Sequence, residues 1–241
     1  MDRAVTEDAL LGGRVRLLQP ERGYRIAIDA VLLAAAVEAG PDGHVIDLGA
    51  GVGAVGLCVA ARLPGCRVTG IELQPALAAL AARNAVLNGV ADRVTTRVHD
   101  LAQPLPADLA PADVVATNPP YLAAAVADPS PDPSKALATV ESSADLARWL
   151  TVAVAAAKPA GTLLVIHRSD RLDEIVARLE ALGWGDLAVK TLPPARRVLV
   201  RARRAATPVR RESAPLVLHP PGGGYTEEAE AILRHAAPLA F

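Results

Sequence analysis

From residue 44 onward the chain alternates short apolar runs with helix-like ones, joined by brief connections. That rhythm confines the fold to an α/β architecture: a mostly parallel sheet covered by helices on both faces. The first run, His44 to Leu48, leads into a helix over 54–63 that Pro64-Gly65 closes. Arg67 to Glu72 is the next strand, and Pro75 opens an Ala/Leu-rich helix ending near Asn88-Gly89. Val94 to His99 and Asp113 to Thr117 follow as strands three and four, then a helix over 142–157 and a fifth strand from Gly161 to His167. A helix over 171–182 stops at Gly183. The runs Leu187 to Leu192 and Arg197 to Arg201 flank Pro193-Pro194 and are expected to form an antiparallel pair at the end of the sheet. The expectation is a Rossmann-like, seven-stranded sheet with an antiparallel final strand.

All 241 residues are assigned to one domain. Residues 1–40 form an entry segment with a hairpin turn at Gly12-Gly13 and a helix from Asp29 to about Glu38. The core runs over 41–205, and a C-terminal extension over 206–241. The stretch 122–136, with Pro129, Pro131 and Pro133, reads as a proline-stiffened loop beyond a strand's carboxyl end, where α/β proteins keep substrate-handling parts.

Aromatic residues are only 2% of a chain that is 51% hydrophobic, so the core must be built from Ala, Val and Leu. Mean hydropathy of +0.27 with 21% charged residues excludes a disordered chain. No apolar run reaches the ~18 residues that span a bilayer, and the amino terminus lacks a leader's basic start and apolar stretch. Cys58 and Cys66 have no CxxC spacing and no histidine partners, which reads as reduced, buried thiols and no metal. A soluble, cytoplasmic protein is expected, with a monomer as the favoured state. The net charge of −1 hides an uneven distribution. Between Asp186 and Glu212 there is no acid, but there are Lys190, Arg196, Arg197, Arg201, Arg203, Arg204, Arg210 and Arg211. Such a block suits either a phosphate-binding footprint or a solvated surface.

Chemistry enters at Val45-Ile46-Asp47-Leu48-Gly49-Ala50-Gly51-Val52-Gly53, where a strand runs through a glycine turn into a helix. Glycines there allow the backbone to approach a ligand closely. By itself the turn is unspecific, because Gly51-x-Gly53-x-x-Gly56 also satisfies a dinucleotide fingerprint. Glu72, at the end of the second strand, is placed to bind a ribose diol, which both NAD and S-adenosylmethionine carry. Asp100, after strand three, is placed to accept from an adenine amino group.

Asn118-Pro119-Pro120-Tyr121, after strand four, discriminates further. An adenine amine is a poor nucleophile because its lone pair is delocalised into the ring. Two acceptors aimed at its hydrogens favour a tetrahedral nitrogen and turn the lone pair outward. Asn118 offers a side-chain oxygen and Pro119 a backbone carbonyl, held rigidly because Pro120 keeps residue 119 extended. Tyr121 offers a ring for base stacking. His167 reads as a strand-end polar residue rather than a base, and Trp149 and Trp184 as helix-to-sheet packing.

Together these residues resemble the class I S-adenosylmethionine-dependent methyltransferases of the amino-methylating branch. Within it the chain is similar to the bacterial tRNA adenine-N6 methyltransferases that act on an anticodon-loop adenine of a valine tRNA. Thr6 to Arg14, Gly23 to Ala34, Leu216 to His219, Gly224-Tyr225-Thr226 and Ala229-Glu230 carry the likeness to both ends. Leu122 departs from it, standing where an aromatic often follows the tyrosine. The resemblance implies that Asp47, Gly49 and Gly51 line the methionine and ribose part of S-adenosylmethionine, with Glu72 on the ribose hydroxyls. It implies that Asp100 and Leu101 bound the adenine, that Asn118 touches both cofactor and amine, and that Asp29 helps to close the pocket. Arg203 and Arg204 are the expected RNA contacts. The same four-residue motif suits a glutamine side-chain amide, so a protein N5-glutamine methyltransferase is the alternative. An NAD-dependent oxidoreductase would leave Asn118 to Tyr121 without a role.

Overall fold

A computed structural model describes residues 4–23, 25–121, 136, 143–204 and 209–241. Of the stretch 122–136, residues 122–135 with Leu122 and the prolines lie outside the described residues, as does Tyr24 of the entry segment. The alternation seen in the sequence becomes strands β3 (His44–Leu48), β4 (Arg67–Glu72), β5 (Val94–Val98), β6 (Ala112–Thr117) and β7 (Ala157–Arg168). Helices α2 (Ala54–Arg62), α3 (Pro75–Leu87), α4 (Leu146–Ala156) and α5 (Leu172–Ala181) are interspersed with them. Strands β8 (Gly185–Leu192), β9 (Arg197–Arg203) and β10 (Arg210–Glu212) complete a sheet ordered β10-β8-β9-β7-β6-β3-β4-β5.

One expectation is corrected. The sheet has eight strands and not seven, because Arg210–Glu212 of the C-terminal extension pairs in parallel with β8. All three β10 residues are exposed, so no hydrophobic pattern marks them. The antiparallel pair of β8 and β9 forms toward that end of the sheet as expected, and β9 is also antiparallel to β7 on its other side. The connection before β7 is also tighter than expected, since α4 ends at Ala156 and the strand begins at Ala157, which pairs with Ala112 before a bulge.

Successive strand residues face opposite sides, so each strand feeds two cores. Val45, Val114 and Leu199 join one side with α1 (Ile28–Ala35), α2, α3 and α6 (Glu227–His235). Ile46, Val115 and Val200 join the other with α4 and α5. Both cysteines are buried and free, and burial pushes the Cys58 thiol up to about 12. The entry segment is a hairpin of β1 (Val5–Leu10) and β2 (Val15–Pro20), turning at Leu11–Gly13 as expected, followed by α1. No helix among the described residues is long and apolar enough to cross a membrane.

Candidate active site

Parallel strands present their carboxyl ends along one edge, and a cavity opens there beyond β3, β4 and β6. Seven residues singled out from the sequence line it together: Asp47, Gly49, Gly51, Glu72, Asp100, Leu101 and Asn118. Gly49 and Ala50 anchor the turn by donating to the Ile71 carbonyl at 2.8 and 3.0 Å. Gly49 adopts φ +78, and a Cβ there would lie 2.5 Å from Trp149 Cη2, so only glycine fits.

The two acids deepest in the cavity differ in how they are held. Glu72 Oε2 accepts from Gly51 N and Oε1 from Gln74 N, both at 2.8 Å. Burial raises its pKa, against the lowering effect of those backbone amides. Asp47 is 2% exposed and its Oδ2 has no partner among the described residues. Burial, with Glu72's charge adding to it, pushes Asp47 up to about 7. Asp100 Oδ1 accepts from Ala102 N and from Ser143 Oγ, both at 2.9 Å. Arg148 Nε donates to the Leu101 carbonyl at 2.7 Å, fixing that loop against α4.

This set fits S-adenosylmethionine. Glu72 still has lone pairs for a ribose diol, the orphan oxygen of Asp47 suits a cationic ammonium, and Leu101, Ile71 and Leu77 supply apolar walls.

Beyond the cavity, Asn118 leads to a polar cluster that joins the Asn118–Tyr121 motif and Asp29 to Arg197 and His167. The Tyr121 hydroxyl lies 2.6 Å from Asp29 Oδ2 and 2.6 Å from Asn118 Oδ1. Arg197 Nε donates to Asp29 Oδ2 at 3.0 Å, and its guanidinium stacks 4.4 Å from the Tyr121 ring centroid. The His167 imidazole meets the same ring edge-on, and its Nε2 reaches the Pro120 carbonyl at 3.3 Å. Burial lowers the His167 pKa to about 4, so it is neutral there. Asp29 belongs to this cluster, while its neighbours Ile26 and Ala30 line the cavity. Pro119 is buried beside them.

Trp149 combines the expected packing with a place on the cavity wall, and Trp184 is purely interior. Ser143, Arg197 and His167's bond to Pro120 were missed; each comes from a distant strand or loop with no local motif. Arg203 and Arg204 lie apart from the cavity. Arg203 pairs with Asp186 at 3.5 Å, and Arg204 donates to the Val154 carbonyl at 3.3 Å beside Trp184.

A methyltransferase small-domain model matches residues 25–130. The tRNA1(Val) (adenine(37)-N6)-methyltransferase of Porphyromonas gingivalis is 30% identical over 220 residues, covering 85% of this chain and 85% of that protein. The release factor glutamine methyltransferase of Deinococcus radiodurans is 36% identical over 169 residues, covering 67% of this chain and 58% of that one. Among solved structures, a predicted O-methyltransferase from Agrobacterium tumefaciens superposes with a TM-score of 0.72 at 28% identity, covering 88% of this chain and 99% of that one.

Proposed function

The chain belongs to the methyltransferase small-domain family of S-adenosylmethionine-dependent N-methyltransferases, and from that premise we propose that it methylates the exocyclic N6 amine of an adenine in RNA, with tRNA the substrate class. The observation that carries this reading is the placing of Asn118 on the cavity wall with the Pro119–Tyr121 segment directly beyond it. The likeness to a tRNA adenine enzyme, over 85% of both chains, supports the substrate class.

S-adenosylmethionine, when bound, supplies an electrophilic methyl group on a sulfonium. Glu72 would hold its ribose hydroxyls, Asp47 its ammonium, and Asp100 with Leu101 its adenine. Asn118's amide oxygen and Pro119's carbonyl take the two hydrogens of the target amine, drawing the nitrogen toward tetrahedral geometry. The lone pair then points into the cavity, and the surplus proton rests on these acceptors until water removes it. No strong base is required, because orientation and fixed dipoles suffice. His167, neutral and turned to the Pro120 carbonyl, holds the motif without exchanging protons. The Tyr121 ring is the stacking surface for the base. Arg203 and Arg204, exposed at the carboxyl end of β9, contribute phosphate contacts.

A second reading, transfer to a glutamine amide, is favoured by the 36% identity to the release factor enzyme, and the same acceptors suit that planar nitrogen. Isotope-labelled donor incubated with tRNA from a strain lacking the gene, and separately with release factor, distinguishes the two. Nucleoside mass spectrometry is expected to find labelled N6-methyladenosine. Label confined to a release factor glutamine would overturn the RNA reading.

A further inference from the structure

A phenol carries one hydrogen, yet two acceptor atoms stand 2.6 Å from the Tyr121 oxygen: Asp29 Oδ2 and Asn118 Oδ1. Only one can receive it. The carboxylate is the stronger acceptor, since a charge-assisted bond is about twice as strong as a neutral one. Asp29 is also held in place, because its side chain is 8% exposed and Arg197 Nε grips the same oxygen at 3.0 Å. The hydrogen therefore goes to Asp29. Two oxygens 2.6 Å apart with no hydrogen between them repel, so the end of Asn118 that faces Tyr121 must be its amino group. Amide oxygen and nitrogen are told apart by the surrounding bonds, and these bonds turn Asn118 so that Nδ2 donates to the tyrosine. Its oxygen then points to the other side.

We propose that Asp29, held by Arg197, is a positioning residue that takes the Tyr121 hydrogen and so orients the Asn118 amide oxygen toward the methyl-accepting amine. The directed chain runs from Arg197 to Asp29, from Tyr121 to Asp29, and from Asn118 to Tyr121. Asn118 is left as an acceptor on its opposite side. Without the carboxylate, the tyrosine hydrogen goes to the Asn118 oxygen and competes with the amine for it. The inference rests on the reading of Asn118 as the amine's acceptor.

The test is a double-mutant cycle with the full chain and tRNA, measuring kcat, S-adenosylhomocysteine affinity and thermal melting. Asp29→Asn, of equal size, is expected to lower kcat about tenfold or more, near 1.4 kcal/mol in the barrier. Its homocysteine-ligand affinity should stay within about twofold. In a Tyr121→Phe background the same substitution should add less than about a twofold loss, because no hydroxyl remains to misdirect. Should Asp29→Asn melt early, Arg197→Lys, which loses the guanidinium's Nε–H, is read in the same two backgrounds with the same expected non-additivity. An equal loss with and without the hydroxyl overturns the proposal, as does a loss that tracks ligand affinity. Asn118→Ala separates the layers: full activity there would remove the amine reading beneath the proposal, whereas inactivity with additive Asp29 effects would remove the proposal alone.

Discussion

Asp47 and Glu72 show how two buried carboxylates in one cavity are held differently, although burial raises the pKa of both. Backbone amides from Gly51 and Gln74 stabilise Glu72's charge, while Asp47 keeps an oxygen without a partner among the described residues. With its pKa at about 7, Asp47 gains and loses its proton near neutrality. A raised carboxylate pKa means that Asp47's contribution to stability is full below its unfolded value and is lost as pH rises through about 7. An ammonium that needs the charged form has the opposite preference. S-adenosylhomocysteine affinity is therefore expected to rise with pH through about 7, with proton uptake by buffer when binding occurs below it. Calorimetry in two buffers of different ionisation enthalpy reads that proton, and Asp47→Asn should flatten the dependence. Affinity indifferent to pH in the wild type would place the ammonium elsewhere.

Among the elements, the hairpin and α3 are joined by side chains acting as a strand edge. Asn84 Oδ1 accepts from Leu18 N at 2.7 Å while its Nδ2 donates to the Leu18 and Val52 carbonyls at 2.9 Å each. One turn later, Asn88 repeats the pairing with Arg16 N and O. Asn84 is fully buried and ties β2 to the glycine turn, so Asn84→Ala leaves backbone groups unpaired there. A cost of about 2–3 kcal/mol is expected in urea unfolding, with weaker homocysteine-ligand binding. A change under about 0.5 kcal/mol would mean that water replaces the amide. Strands β3 to β9 were legible because each is an apolar or alternating run, β5 being the alternating Val-Thr-Thr-Arg-Val, stopped by glycine, proline or a polar strand end. Strand β10 was not, since its three residues carry no apolar face. The place of β9 was not legible either, as strand order depends on how two hairpin arms dock and leaves no local trace. The lining of the cavity was readable because its residues stand at strand ends. The Asp29–Tyr121–Arg197 cluster joins positions 92 and 168 residues apart in sequence from Asp29, a juxtaposition made by folding alone.

Across the whole molecule, binding, orientation and charge are distributed along the sheet. The ends of β3 and β4 and the turn after β5 line the cavity proposed for the donor, Asn118 to Tyr121 follow β6, and the arginine-rich surface lies at β8 to β10. Folding divides that arginine block. Asp186 pairs with both Arg203 and Arg211, Arg210 pairs with Glu212, and Arg197 turns into the site. What remains for the proposed RNA contact is a modest cationic surface. Replacing Arg203 and Arg204 by Ala is expected to weaken tRNA binding and to reduce its log–log salt slope by about 0.7 for each phosphate that is no longer neutralised. Cofactor affinity should not change. A wild-type slope in binding titrations at several salt concentrations would make those arginines a solvated face. The separation of donor binding from amine orientation is tested most directly by Asn118→Ala, assayed for methyl transfer under saturating tRNA and donor and for S-adenosylhomocysteine affinity on the same preparation. Turnover is expected to fall more than about tenfold, a loss above ~1.4 kcal/mol, while ligand affinity stays within about threefold. Turnover above about a tenth of wild type, or a loss explained by failed ligand binding, would contradict it.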